Sequence, residues 1–253
     1  MRQSQDPKTV LITGASSGIG KGLALNYASE GRRLFLQGRD EERLNAVAGA
    51  CAEKGADVEK QCLDVRDQDA MAGWIEAIDR ETPLDLVIAN AGVSGFAEDE
   101  QDPLRWIFDI NVNGVFNTVQ PILPHMAGRG QGHIAIMSSL AGFRGMPQAP
   151  AYAASKAAVR SWGEGLRGKL AESRVAVSVI CPGFVRTPMT EDNPFPMMLL
   201  MDTDQAADLI RRGLDRRVAR IAFPFRLYAL TRLFAALPPA FGDLLLQRFQ
   251  GKE

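Results

Sequence analysis

Thr9-Val-Leu-Ile-Thr-Gly-Ala-Ser-Ser-Gly-Ile-Gly20 combines a short apolar strand, a glycine-rich turn and the first residues of a helix. Glycines in such a turn let the backbone approach a bound group closely, and the helix offers free N–H groups and a positive dipole end to a pyrophosphate. The segment therefore predicts nucleotide binding, with simple packing of strand against helix as the alternative. The candidate binding residues are Gly14, Ser16, Ser17, Gly18, Ile19 and Gly20.

The rest of the chain continues this alternation of apolar strand and helix. Further strands are predicted at 33–37, 58–63, 85–89, 133–137 and 175–181, and helices at 41–54, 67–80, 103–127 and 152–172. Near-continuous apolar strands that alternate with helices are typical of a parallel sheet covered on both faces. Because no linker, repeat or low-complexity segment interrupts the pattern, we expect one α/β domain over 1–253.

Composition excludes several classes of protein. The net charge of −1 and the pI of about 6.2 give no reason to expect a nucleic-acid partner. The three cysteines, Cys51, Cys62 and Cys181, are interpreted as buried thiols of a reducing compartment, and the two histidines, His125 and His133, have no Cys/His cluster that would bind a metal. The sequence shows neither a signal peptide nor an apolar run of spanning length, so the expected location is the cytoplasm.

A tyrosine and a lysine four residues apart form the candidate catalytic pair. Pro150 is suited to the first turn of a helix, so Tyr152 and Lys156 should lie on one helical face, about one turn apart. A free phenol has a pKa near ~10, and a nearby cation favours its ionised form. The pair could therefore exchange a proton with an alcohol or carbonyl oxygen, or it could be an ordinary surface pair.

The end of the second strand carries the signal for cofactor choice. Sites for NAD place an acidic residue there for the ribose 2′-hydroxyl, whereas sites for NADP place an arginine for the 2′-phosphate. Gly38 offers no carboxylate, and Arg39 offers a planar cationic group suited to phosphate. These residues favour NADP over NAD, unless Arg39 is simply paired with Asp40 or Glu41.

The chain contains six motifs whose order and spacing resemble those of the short-chain dehydrogenase/reductase family. The resemblance covers residues 8 to 187. They are Gly14-x-x-x-Gly18-x-Gly20, Asn90-Ala91-Gly92, Asn111, Ser139, Tyr152-x-x-x-Lys156 and Pro182-Gly183. The resemblance implies a single-domain Rossmann fold, that is, a doubly wound sheet of seven parallel strands with helices on both faces. It also implies hydride transfer between NAD(P) and an alcohol or carbonyl.

The resemblance assigns catalytic roles to matching positions. Tyr152 is expected to be the acid/base, and Lys156 is expected to hold the nicotinamide ribose and ease ionisation of the phenol. The family's substrate-binding serine lies thirteen residues before the tyrosine, which selects Ser139, while Ser138 contacts the cofactor side or ends the strand. Asn111 is expected to bind a water that links Lys156 to solvent. Asn113 is the weaker alternative.

The resemblance also implies cofactor contacts along the rest of the motif set. Asp64 and Val65 match the adenine-binding pair, Asn90 is expected to brace the sheet near the cofactor, and Thr187 is expected to contact the nicotinamide carboxamide. Ser17 stands where some NADP enzymes carry a second basic residue, so Arg39 alone supports the NADP prediction. The remaining expected contacts are Ala91, Gly92, Pro182, Gly183 and Val185.

Two apolar segments follow the matched motifs. Residues 187–204 occupy the place of the family's substrate lid, and their methionines suggest an apolar substrate, unless they only pack on the sheet or on another subunit. Residues 223–249 predict short amphipathic helices with arginines beside the apolar positions Leu227, Leu230, Phe234 and Leu237. Such helices contact a membrane interface, another subunit or the substrate pocket, so a peripheral membrane contact through 223–249 is one of three possibilities.

The leading hypothesis is an NADP-dependent oxidoreductase. The alternative from another class is a catalytically silent NADP-binding sensor or scaffold, but such proteins typically lack the tyrosine or the lysine. An isomerase or dehydratase would need a further acid/base group, which the sequence does not offer. Because family members commonly pair through the long helices that begin near Pro103 and Tyr152, a homodimer or homotetramer is expected.

Overall fold

The computed structural model describes residues 6–95, 102–191, 197–238 and 240–242. Its centre is one sheet of seven parallel strands in the order β3-β2-β1-β4-β5-β6-β7. The predicted α/β fold with a parallel sheet is confirmed. The strands are β1 Thr9–Ile12, β2 Arg33–Gly38, β3 Asp57–Cys62, β4 Leu86–Ala89, β5 His133–Met137, β6 Ala176–Pro182 and β7 Arg220–Phe223.

Ten helices connect and flank these strands within the described residues. They are α1 Gly18–Tyr27, α2 Glu41–Ala52, α3 Gln68–Glu81, α4 Pro103–Phe108, α5 Gly114–Val119, α6 Leu123–Arg129, α7 Pro150–Lys169, α8 Pro188–Glu191, α9 Thr203–Asp215 and α10 Phe225–Ala235. Local chemistry fixes several of their starts. Asp40 and Asp67 accept backbone hydrogen bonds at the start of α2 and α3, and Pro150 opens α7.

The two faces of the sheet carry separate hydrophobic clusters. On one face, Leu23 of α1, Leu44 of α2 and Ile210 of α9 pack against the sheet. On the other face, Ile75 of α3 and Val159 of α7 do the same. Helices on both faces explain why most strands are apolar on both sides.

The strand order changes direction between β1 and β4. These two strands are neighbours, with Ile12 paired to Ile88, although β2 and β3 lie between them in the sequence. The connections that leave their carboxyl ends run to opposite faces, and the crevice left there is where open α/β sheets bind ligands. The glycine turn after β1 and Asn90-Ala91-Gly92 after β4 both lie at this crevice.

Three expectations from the sequence need correction. The predicted helix 103–127 is divided into α4, α5 and α6, with a π-helical turn at Asp109–Asn113. Cys62, expected to be buried, is exposed because β3 is an edge strand with mostly solvent-facing side chains. Strand β7 was not located from the sequence, because its four residues begin with an arginine and alternate in burial.

The two apolar segments are only partly described. In the lid, residues 192–196 lie outside the described residues, and so does the predicted second C-terminal helix beyond residue 242. Helix α10 is present, but Leu230, expected on the same stripe as Leu227 and Phe234, is 55% exposed. No described helix has the length and apolar character needed to cross a membrane.

Candidate active site

A cavity of about 290 Å³ lies at the carboxyl edge of the sheet, where β1 and β4 meet. Every predicted site residue lines it except Gly20, Asp64 and Asn111. The fold thus brings together side chains from segments that are more than a hundred residues apart in the sequence. Residues that line the cavity but were not predicted include Gln37, Asp40, Arg43, Val93, Ile110, Met137, Pro188, Met189 and Thr190.

The glycine turn is packed too closely for side chains. Gly14 has φ +65°, and a β-carbon placed there would lie 2.8 Å from Ala91 Cα. A β-carbon on Gly20 would lie 2.1 Å from the Gly14 carbonyl oxygen, so Gly20 supports the turn from behind. The absence of side chains leaves the backbone itself as the wall of the cavity. Such a cradle is what a dinucleotide pyrophosphate requires.

The amino end of α1 points its free donors at this wall. Ser17 is the residue before the helix, and its side chain makes no capping hydrogen bond to the first turn. The first N–H groups of a helix have no partner within the helix itself. Together with the helix dipole, they form a site for an anion beside Gly18.

Two polar side chains, those of Gln37 and Asn90, hold the turn against the sheet. Buried Gln37 accepts a hydrogen bond from the Gly14 N–H at 3.1 Å and donates to the Leu63 carbonyl. Asn90 donates to the carbonyls of Thr13 and Gly14 at 2.9 and 3.2 Å, as expected of a brace. Gln37 was missed by sequence reasoning, although an amide within the apolar strand Leu-Phe-Leu-Gln was a visible signal.

The carboxyl end of β2 carries a cationic corner of the cavity. The Arg39 side chain is exposed and has no ion pair with the described residues, so the alternative of a pair with Asp40 or Glu41 is not what the fold forms. Instead, Asp40 accepts hydrogen bonds from the Arg43 backbone at 2.9 Å and side chain at 2.6 Å. Arg43 is a second basic residue at this corner, and sequence reasoning missed it.

Only one residue of the expected adenine-binding pair, Asp64 and Val65, lines the cavity. Val65 lines the cavity, but Asp64 does not. The Asp64 carboxylate accepts hydrogen bonds from the backbone and side chain of Arg66, at 2.9 and 2.8 Å. Burial raises the pKa of Asp64, but the hydrogen bonds with Arg66 outweigh it and hold the pKa below its usual range.

Helix α7 presents Tyr152 and Lys156 to the same cavity, as their spacing predicted. The Lys156 ammonium lies 5.8 Å from the centroid of the Tyr152 ring and donates to the Met137 carbonyl at 3.2 Å. Ser139, at the end of β5, lines the same cavity as Tyr152, and its hydroxyl donates to the Pro182 carbonyl at 3.4 Å. Three groups able to exchange or donate protons therefore face one space.

Burial controls the charge of this pair in the protein alone. It raises the pKa of the Tyr152 phenol above its usual value of 10, and the nearby Ser139 hydroxyl opposes that increase. It lowers the pKa of the Lys156 ammonium to about 8. Tyr152 is consequently protonated at neutral pH, which is the form that can give a proton to a substrate oxygen.

Two further polar residues support α7. Ser138 donates to the Lys156 carbonyl at 2.8 Å, which joins the end of β5 to the helix and leaves Ser139 as the serine that meets Tyr152. Asn111 is fully buried in the π-helical turn, where it donates to the Val93 carbonyl at 2.9 Å and to Ser155 Oγ at 3.0 Å. Asn113 instead donates to the carboxylate of Asp109.

The start of the lid borders the cavity and is anchored internally. Thr190 Oγ1 donates to the Val185 carbonyl at 2.8 Å and accepts from the Thr187 N–H at 3.0 Å. Met189 lines the cavity although 42% of it is exposed, and Met198 and Leu199 are exposed without lining the cavity. The described lid therefore contributes one methionine to the wall.

Comparison with known proteins gives a consistent result. A family model described as "short chain dehydrogenase" matches residues 8–195. An "uncharacterized oxidoreductase" of Myxococcus xanthus is 42% identical, and the match covers 96% of this chain and 98% of the relative.

Two solved structures share the fold over nearly the whole chain. A short-chain dehydrogenase from Sphingobium yanoikuyae in complex with NADPH has a TM-score of 0.77 at 28% identity, covering 96% of this chain and 94% of that chain. A short-chain dehydrogenase/reductase from Burkholderia phymatum in complex with NAD has a TM-score of 0.80 at 28% identity, covering 97% of each chain. The chain belongs to the short-chain dehydrogenase/reductase family of oxidoreductases.

Proposed function

We propose that the protein transfers hydride between NADP(H) and an apolar carbonyl or alcohol, with Tyr152 as the acid/base. The observation that carries this proposal is the arrangement of Ser139, Tyr152 and Lys156 around one cavity that also contains the glycine cradle. A protein that only bound the dinucleotide would need the cradle alone.

The cavity walls suit a dinucleotide. The pyrophosphate would be held by the backbone of Gly14 and Gly18 at the start of α1, and the 2′-phosphate by Arg39. Lys156 would hold the nicotinamide ribose, and Thr187 the carboxamide. Bound there, the nicotinamide supplies or accepts the hydride. The other proposed cofactor contacts are Val65, Asn90, Ala91, Gly92, Pro182, Gly183 and Val185, which line the cavity, and Asp64, which is paired with Arg66 outside that lining.

Tyr152 and Ser139 act on the substrate oxygen. In reduction, negative charge grows on this oxygen, and donors fixed in a dry site stabilise that charge strongly. Ser139 donates a hydrogen bond to it, and Tyr152 transfers its proton. Lys156 stabilises the resulting phenolate, since its ammonium lies over the phenol ring. Asn111 would hold the water through which Lys156 exchanges protons with solvent.

Electrostatics at the end of β2 support NADP over NAD. Gly38 leaves no carboxylate to accept the ribose hydroxyl, and the nearest acid, Asp40, is neutralised by Arg43 at 2.6 Å. Replacing Arg39 with Gln should lower the ratio of kcat/KM for NADPH over NADH by about ten- to a hundredfold, because charge-assisted hydrogen bonds are lost. An unchanged ratio would contradict this assignment.

The lining of the cavity supports an apolar substrate. Met137, Val93 and Met189 line the cavity, which favours an apolar substrate covered by the lid 187–204.

The proposal also includes the assembly and location of the protein. Helices α4 and α7 would form the contact of a homodimer or homotetramer, and Leu104 on α4 is 58% exposed. The thiols of Cys51, Cys62 and Cys181 are all free, which favours the cytoplasm.

The test of the proposal is Tyr152→Phe, assayed with a panel of carbonyls and alcohols by nicotinamide absorbance, with both NADP(H) and NAD(H). Removing the phenolic proton should reduce kcat by about 10²- to 10⁴-fold while the Kd for NADPH stays within about twofold. Tyr27→Phe is the matched control, because the Tyr27 hydroxyl is buried away from this cavity and has no partner among the described side chains. Activity of Tyr152→Phe within tenfold of the parent would remove Tyr152 from the mechanism. Turnover of small polar aldehydes or sugars alone would overturn the apolar substrate.

A further inference from the structure

Helix α10 is apolar on both its faces. Leu227 and Tyr228 on the inner face pack against the core, with the Tyr228 ring 5.7 Å from that of Phe143. The outer face spans about 160° of the helix and is exposed. Its apolar members are Phe225, Ala229, Leu230, Leu233 and Ala236. Apolar side chains on the face of a helix that turns away from the core indicate a second contact surface.

The outer face is among the most exposed apolar surfaces that the structure describes. Phe225 is 75% exposed, Leu233 67% and Leu230 55%. After α10, Phe241 is 64% exposed as well. Large apolar side chains grouped in this way mark an interaction site, whereas a single one would need no explanation.

The charged residues on this part of the chain are arginines. Residues 216–242 contain five arginines and no aspartate or glutamate, and one of the five, Arg220, is paired with Glu164. On α10 itself, Arg226 lies within the exposed arc, between Leu233 and Leu230, and Arg232 lies at its edge, with its guanidinium 5.8 Å from the centroid of the Phe143 ring. An apolar arc that carries an arginine with no ion pair in the described part of the chain matches a surface that combines acyl chains with negative headgroups.

A second copy of the chain fits this face less well. In a symmetric dimer contact the same patch meets itself. The arginines of one α10 would then approach those of the other, with no carboxylate on the face to pair with them. An anionic lipid surface removes this repulsion.

We propose that the outer face of α10 binds in the interface of an anionic phospholipid membrane. The helix has eleven residues, about half the length needed to span a bilayer, so it lies flat with Phe225, Leu230 and Leu233 among the acyl chains. Arg226, which lies between Leu233 and Leu230, contacts the phosphate groups of the headgroups.

The inner face of α10 contacts the wall of the active-site cavity. Gly183 lines the cavity, and a β-carbon placed on it would lie 2.9 Å from Leu227 Cδ2 at the start of α10. Bound through α10, the protein would hold the mouth of its cavity near the bilayer. The membrane proposal does not depend on hydride transfer, because vesicle binding is measured without turnover.

The test is flotation of the whole protein with vesicles of phosphatidylcholine alone, and of phosphatidylcholine and phosphatidylglycerol in equal amounts. The parent should float with the anionic vesicles and much less with the neutral ones. Leu233→Glu should weaken binding by about tenfold or more, and Arg226→Gln by about fivefold. Val218→Glu is the matched control, because Val218 is an exposed apolar residue that precedes β7, whereas α10 follows it.

The outcomes distinguish a membrane from a second copy of the chain as the partner of the outer face of α10. Retained NADPH affinity and an unchanged thermal midpoint show that each variant is folded. If no vesicles are bound, or if Leu233→Glu and Val218→Glu bind alike, the proposal is overturned. If Leu233→Glu instead converts a larger oligomer to a smaller one in size-exclusion chromatography and vesicles have no effect, a second copy covers the face and the proposal is likewise overturned.

Discussion

Replacing Gly20 with alanine tests the cradle directly. The new β-carbon would lie 2.1 Å from the Gly14 carbonyl oxygen and 2.6 Å from the Asn90 side chain, whereas ordinary van der Waals contact begins at 3.4 Å. The Gly14 oxygen belongs to the backbone and cannot rotate away, so the first turn of α1 and the glycine turn must separate. Such overpacking costs about 1–3 kcal/mol of unfolding free energy, against a gain of about 1 kcal/mol from the better helix propensity of alanine.

The separation also moves the donors that would hold the pyrophosphate. A shift of about 1 Å removes a hydrogen bond, and each charge-assisted bond contributes about 1.5–3 kcal/mol, so NADPH affinity should fall by about ten- to a hundredfold. Titration calorimetry measures the Kd, and urea unfolding measures the stability.

Gly73→Ala is the matched control. Gly73 also lies inside a helix, α3, but nothing lies within 4 Å of a β-carbon placed there. This substitution should raise the unfolding free energy by about 0.5–1 kcal/mol and leave NADPH affinity unchanged. If Gly20→Ala binds NADPH within twofold of the parent, the glycine turn is not the pyrophosphate site.

Two predictions concern pH. Burial lowers the pKa of Lys156 to about 8. The value of kcat/KM for carbonyl reduction should therefore be constant below that pH and decline above it, as the ammonium loses its proton. A profile that stays flat well above pH 8 would contradict a role for the charge of Lys156. Burial lowers the pKa of His133 from 6.5 to about 3, so the unfolded chain binds a proton that the folded chain excludes, and stability is lost as pH falls below 6.5. At pH ~5 this loss is about 2 kcal/mol, and His133→Gln should reduce the fall of the urea midpoint between neutral pH and ~5.

The sequence was sufficient for features that depend on local pattern. Alternating strands and helices predicted the parallel sheet, and the motif order predicted most of the cavity wall. These succeed because short-range spacing fixes a helical face, as for Tyr152 and Lys156, and because consecutive parallel strands present their following loops at one edge. The choice of Ser139 rested on the family resemblance, which places a serine thirteen residues before the tyrosine.

Features that depend on distant neighbours were missed. Cys62 is exposed because β3 is an edge strand, and sequence pattern does not reveal which strand is at the edge. Arg43 neutralises Asp40 only because the first turn of α2 returns beside the end of β2. Leu227 and Leu230 were predicted on one apolar stripe, but three residues of helix place them about 60° apart, and in the fold Leu227 packs on the core while Leu230 is exposed.

The protonation state of Tyr152 is the clearest case of a property decided by the whole site. The spacing of Tyr152 and Lys156 alone favours phenolate, because a cation lies near the phenol. In the folded chain Lys156 is itself buried and loses part of its charge near pH ~8, while burial raises the pKa of the phenol. The protein alone is therefore poised as a proton donor. Oxidation of an alcohol needs the opposite form, so it requires additional positive charge beside the phenol, which a bound oxidised nicotinamide provides. Cofactor redox state, rather than the chain, would then select the direction in which Tyr152 moves its proton.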